Sequence, residues 1–111
     1  MKDLPKYHET FIPVLETLRK GEALRSREMA TRVRDNYYAS LPQELLEKKT
    51  KSDTNVLLDR VSWGKSYLKM GKFLMYPQRG YVQITDKGKK VLEKGVFTLN
   101  HLQSDSDFIS H

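Results

Sequence analysis

Two strand-like runs facing each other across a tight turn, late in a chain whose other apolar residues recur at helical spacing, limit the folds open to this sequence. Phe73-Leu74-Met75-Tyr76 and Tyr81-Val82-Gln83-Ile84 carry aromatic and β-branched residues, and Pro77-Gln78-Arg79-Gly80 between them has turn chemistry. They predict one β-hairpin. A lone hairpin is marginal in water, so helices must supply the surface it packs on.

Those helices are legible from spacing. Tyr7, Phe11, Val14, Leu15 and Leu18 predict a first helix over Tyr7–Lys20, ended by Gly21. Pro13 lies inside it without an N–H to donate, so this helix is either kinked there or starts late. Ala23-Leu24-Arg25 predicts a short edge strand. Ser26 is placed to cap a second helix running to about Tyr38, with Met29, Ala30, Val33 and Tyr37 inward. Ser40-Leu41-Pro42-Gln43 has the spacing of a capping box and predicts a short helix through Leu45 and Leu46. Lys48 to Ser52 reads as a loop. A longer third helix is expected from about Thr54 to Met70, capped by Asp53 or Ser52 and stopped by Gly71. After the hairpin, Thr85 caps a last helix through Lys94, with Val91 and Leu92 inward and Gly95 closing it.

The resulting order is helix, short strand, helix, small helix, long helix, hairpin, helix. It predicts an α+β, mostly helical domain over residues 1–95: a winged helix-turn-helix, with the third helix as reading head and the hairpin as wing. The 111 residues suit one domain. Residues 96–111 form a polar, acidic tail or the start of a linker, with isolated Phe97, Leu99, Leu102, Phe108 and Ile109. Three fates stay open for it: packing on the domain, leading into another domain, or disorder.

The net charge of +6 favours an anionic partner, and its placement says where. From Met1 to Asp59 eleven basic residues meet ten acidic ones. From Arg60 to Gly95 nine basic residues meet only Asp86 and Glu93, and the tail carries Asp105 and Asp107 with no Lys or Arg. Anion binding is therefore expected in the Arg60–Gly95 segment. The absence of cysteine excludes disulfides and thiolate metal sites. No apolar run approaches the length of a membrane span and no hydrophobic signal segment follows Met1, so a soluble, cytoplasmic protein is expected. Strand and turn signals interrupt the basic segment, which argues against a polybasic membrane helix.

At about 100° per residue, the third helix separates into an apolar arc of Val56, Leu57, Val61, Trp63, Tyr67, Leu68 and Met70 and a polar arc of Asn55, Asp59, Ser62, Lys65, Ser66 and Lys69. The apolar arc, Trp63 and Tyr67 included, reads as core. On the polar arc, small Ser62 and Ser66 permit close approach to a groove, Lys65 and Lys69 suit phosphates or guanine edges, and Asn55 suits adenine. An ordinary solvated face is the competing reading of that arc, and the charge asymmetry and the hairpin tip favour DNA over it. Arg60 falls amid the apolar arc, where phosphate contact and a structural ion pair weigh equally. Arg79 beside Gly80 suits a minor groove or a phosphate ridge. Lys87, Lys89 and Lys90 open the last helix against its dipole, which calls for a compensating anion such as DNA phosphate.

Signs of catalysis are lacking. His8, His101 and His111 have no ligand spacing, and no Ser/His/Asp trio, phosphate loop or metal motif occurs, so neither an enzyme nor a cofactor is expected. Glu47-Lys48-Lys49 spells the Glu-x-Lys of metal-dependent nucleases, but on or beside a short helix with no sheet around it and no Asp partner. RNA binding lacks the exposed aromatic platform that single strands need.

The run Arg60-Val61-Ser62-Trp63-Gly64-Lys65-Ser66-Tyr67-Leu68-Lys69-Met70-Gly71, followed by Pro77-Gln78-Arg79-Gly80 and by Tyr81 to Gly88 with its Thr85-Asp86-Lys87-Gly88 end, resembles the N-terminal domain of the Mrr restriction proteins. Leu4-Pro5-Lys6-Tyr7 and Ile12-Pro13-Val14-Leu15 are similar too, so the resemblance covers about residues 4–95. It implies a winged helix that brings DNA to a C-terminal nuclease domain acting on modified DNA. Gly64 stands where the family usually has alanine. The sequence ends at His111, before any nuclease domain, so a fragment and a freestanding module are both open. The expectation is a double-stranded-DNA-binding module of an Mrr-like restriction system, with Asn55, Arg60, Ser62, Lys65, Ser66, Lys69, Arg79 and Lys87 as its contacts. A nuclease domain or subunit and a second copy are its candidate protein partners. The alternatives are a freestanding transcriptional regulator and a winged helix that docks a protein.

Overall fold

Pro13 decides how the chain begins. In a computed structural model, which describes residues 3–111, Tyr7–Thr10 form one 3-10 turn and the first regular helix, α1, spans Phe11–Thr17. Pro13 sits in its first turn, where a missing N–H has no helical partner to lose. The late start, not the kink, is found.

Strand β1 covers Leu24–Arg25, and helix α2 follows at once over Ser26–Tyr37. Ser26 is the first helical residue, not the cap; its backbone N–H donates to Gly80 O at 2.8 Å. Tyr37 is left 39% exposed, whereas Tyr38, turning out of the helix, is only 3% exposed. The inward tyrosine is thus one residue later than the helical period predicts. Burial pushes the Tyr38 phenol up to about 12. Helix α3, Gln43–Leu46, starts from Pro42 without a side-chain cap. The expected box does not form, and the Gln43 amide donates to Glu47 instead.

Helix α4, Val56–Met70, is capped by Asn55, whose Oδ1 accepts from Leu58 N at 3.0 Å. Asp53 and Ser52 do not cap it. Both lie in a turn in which Asp53 N donates to Thr50 O and Thr50 Oγ1 accepts from Ser52 N. Strands β2, Leu74–Met75, and β3, Tyr81–Ile84, form the hairpin. The sheet order is β1-β3-β2, antiparallel throughout, with Leu24 opposite Val82 and Leu74 opposite Ile84.

Helix α5 spans Asp86–Lys94, with Thr85 accepting from Gly88 N and Gly95 in the left-handed region ending it. Residues 96–111 pack on the domain. Two short helices, α6 over Leu99–Gln103 and α7 over Ser106–Ile109, fold back so that Leu102 is fully buried. The Phe97 ring lies 4.7 Å from Phe73 and 5.7 Å from Phe11. The core therefore runs past residue 95.

Leu57, Val61, Gly64 and Leu68 are the buried stripe of α4. This stripe is narrower than the apolar arc read from the sequence. Gly64 lets the 3-10 turn press on the helix: a Cβ there would collide with Thr10 Oγ1 and Tyr7 O. Trp63, expected in the core, stays 52% exposed at the stripe's edge.

Candidate nucleic-acid interface

Lys65 and Lys69 are four residues apart and so share one face of α4. The chain reverses just after that helix, with Lys72 at φ 65°, and β2 packs beside it. This packing brings Tyr76 under both lysines: Lys65 Nζ lies 5.3 Å and Lys69 Nζ 5.5 Å from the Tyr76 ring centroid. Cations at such distances are attracted to the negative face of the ring. Partial burial pulls the Lys65 pKa down. Burial also pushes the Tyr76 phenol up, with the Ser66 hydroxyl pulling the other way. Ser62 is exposed and Ser66 half-buried.

Arg79 is exposed at the hairpin tip, three residues beyond Tyr76. Tyr81 N closes the turn on Gln78 O, and Gly80 takes φ 84°, a conformation that L side chains disfavour. Among the described residues, Lys65, Lys69 and Arg79 form no ion pair. The bond from Ser26 N to Gly80 O ties the start of α2 to this turn. Arg25 stacks its guanidinium 5.1 Å from the Tyr81 ring centroid. A shallow groove between the start of α2 and α4 is lined by Ser26, Arg27, Lys49, Ser62 and Lys65. Asp53 and Asp59 border it as well, the former paired with Lys49 at 3.3 Å.

Arg25, Arg27 and Tyr76 are residues that the sequence reading did not single out. The two arginines lie in the charge-neutral half of the chain, and only the pairing of β1 with β3 carries them to the hairpin. Tyr76 was visible as a strand end, but not as the ring two lysines share.

Three expected contact residues have their polar groups engaged inside the chain. Asn55 caps α4 with its oxygen and donates its amide to Leu46 O at 2.8 Å. Among the described residues Arg60 pairs with no acid; it donates to Pro5 O at 3.0 Å. Lys87 donates to Gly71 O at 2.7 Å, Asp105 at 2.7 Å and Asp107 at 2.8 Å, which uses all three ammonium protons. The anion that the start of α5 called for is the chain's own tail. Burial alone would lower the Lys87 pKa, but the bonds to Asp105 and Asp107 outweigh it and the pKa is raised.

Among the described residues no group of three or more His, Cys, Asp or Glu is placed to hold a metal ion. Nor is any helix there long and apolar enough to cross a membrane. Compared with protein families, the chain matches the model described as the Mrr N-terminal domain over residues 7–94. No curated protein and no solved structure matches the chain.

Proposed function

The chain belongs to the Mrr N-terminal domain family, and on that basis we propose that it is a winged helix that binds double-stranded DNA. In this reading α4 enters the major groove, the β2–β3 hairpin is the wing, and the domain supplies DNA targeting to an Mrr-like, modification-dependent restriction system. The chemistry belongs to a nuclease domain or subunit, and this chain contributes no catalytic residue. The element order and the β1-β3-β2 sheet support the winged helix.

One observation carries the DNA reading. Lys65 and Lys69 share the Tyr76 ring at the base of a hairpin whose tip holds Arg79, and among the described residues none of the three cations is paired with a carboxylate. The small Ser62 and Ser66 on the same helix leave room for a base edge.

Fluorescence anisotropy with a labelled duplex tests it. Affinity should fall with salt at a slope of about −0.9 per phosphate neutralised. Replacing Lys65 and Lys69 together by Ala should flatten that slope by roughly two such steps. Arg19→Ala should leave it unchanged, because Arg19 is bonded through two nitrogens to Glu16, at 2.6 and 2.7 Å. Absence of binding at low salt would end this reading.

A further inference from the structure

The DNA reading accounts for the cations of α4 and leaves its one carboxylate unexplained. Asp59, Ser62 and Ser66 follow one another at three- and four-residue spacing and so form a single ridge along the helix. At about 100° per residue, that ridge lies roughly opposite the buried stripe of Leu57, Val61, Gly64 and Leu68. It is therefore the edge that faces the bases when α4 lies in a major groove, with Lys65 and Lys69 on the flank toward Tyr76. Asp59 is half-buried. It borders the groove lined by Arg27, Lys49 and Lys65 on one side and the cleft lined by Lys6, His8 and Arg60 on the other. Among the described residues its carboxylate pairs with none of these six and accepts no hydrogen bond. The groove's other carboxylate, Asp53, is taken by Lys49 at 3.3 Å.

An ionised carboxylate can only accept hydrogen bonds. Set against a polyanion, it opposes binding to every sequence except one that brings a donor to it. The base edges in the major groove differ in what they offer. Guanine presents two acceptors, thymine an acceptor and a methyl group, and adenine an amino donor beside the acceptor N7; cytosine presents its N4 amino group alone. Cytosine is thus the base that satisfies Asp59 without setting an acceptor against it. Given the DNA reading, on which this step rests, we infer that Asp59 is a specificity-determining residue: it accepts from the N4 amino group of a cytosine and turns away the other three bases at that position.

Selection by the full chain from a pool of randomised duplexes tests this. The parent should enrich a cytosine at one position, and replacing that base pair should weaken binding roughly tenfold, within the range for a single mismatch. Asp59→Ala should lose the enrichment there and bind unselected duplexes more tightly than the parent does. Asp59→Asn keeps the shape of the side chain and should move the preference to adenine, whose N6 and N7 suit an amide through two bonds. Thermal melts establish that both variants are folded.

The competing role for Asp59 is structural, since an acidic residue in the first turn of α4 complements the helix dipole. In that case both variants melt at lower temperature and select the same bases as the parent, which overturns the proposal. So does an Asp59→Asn variant that still selects cytosine, or a parent that binds duplexes with no base preference; the DNA reading survives all three results. A parent that binds no duplex at low salt ends the DNA reading itself, and this role with it.

Discussion

Gly88 is where the smallest change should have the largest structural effect. The Thr85-Asp86-Lys87-Gly88 stretch begins α5 with Thr85 Oγ1 accepting from Gly88 N at 3.1 Å. Its glycine is needed for a second reason: a Cβ at Gly88 would collide with the backbone oxygen of Phe73 and sit 2.8 Å from Ile84 Cγ1. The Phe73 carbonyl has little freedom to retreat, since it also accepts from Thr85 N at 3.2 Å. We expect Gly88→Ala to cost about 1–3 kcal/mol, the range for overpacking, despite the roughly 1 kcal/mol that alanine gains in helix propensity. Urea denaturation checks this, and an unchanged midpoint would refute the close-approach account. Asn55 carries a related lesson. A polar residue at the head of a helix suits base contact and capping equally well in sequence. The choice was made by Leu46 O, nine residues away, which occupies the amide.

At the scale of elements, β2 does more than complete a sheet. By packing beside α4 it puts Tyr76 under Lys65 and Lys69, so the hairpin and the helix present their charges as one unit. Tyr76→Ala should release both side chains and weaken duplex binding several-fold, roughly 1 kcal/mol for an exposed cation–π pair. Tyr76→Phe, which keeps the ring, should bind like the parent. Equal losses in the two variants would point to the phenol hydroxyl instead. Helical spacing, turn residues and the Thr85 and Gly95 caps made most of these elements legible in the sequence, because each is a local signal. The width of a buried face is not local. The helical period fixes where α4 points its core side, but the close seating of the 3-10 turn on Gly64 decided that Trp63 fell outside it. Likewise the neutral-half residues Arg25 and Arg27 reach the candidate interface only through long-range strand pairing.

At the scale of the whole molecule, one ammonium group fastens the C-terminal segment. Lys87 lies over the Phe73 ring at 4.3 Å, bonds Gly71 O, and holds Asp105 and Asp107, while Leu102 fills the core nearby. The acidic tail and the basic start of α5 were each visible in the sequence. Their meeting was not, since nothing local relates positions 18 and 20 residues apart. The hydrogen bond from Lys87 holds the Asp107 carboxyl below its ordinary value, and the Lys87 ammonium is raised above its own. A depressed acid stabilises the fold above its unfolded pKa and loses that contribution as pH falls through the folded value. A raised base contributes fully below its unfolded pKa and loses it as pH climbs through the folded one. The fastening should therefore be firmest between about pH 4 and pH 10, the unperturbed values of Asp and Lys. Amide exchange should show α6 and α7 losing protection below that window while α4 keeps its own. Lys87→Met should lose the same protection at neutral pH, at a cost of about 1–2 kcal/mol for charge-assisted bonds partly screened by solvent. Tail protection that survives both acid and Lys87→Met would mean that Leu102 and Phe97 alone hold the segment, with the ion pairs as spectators.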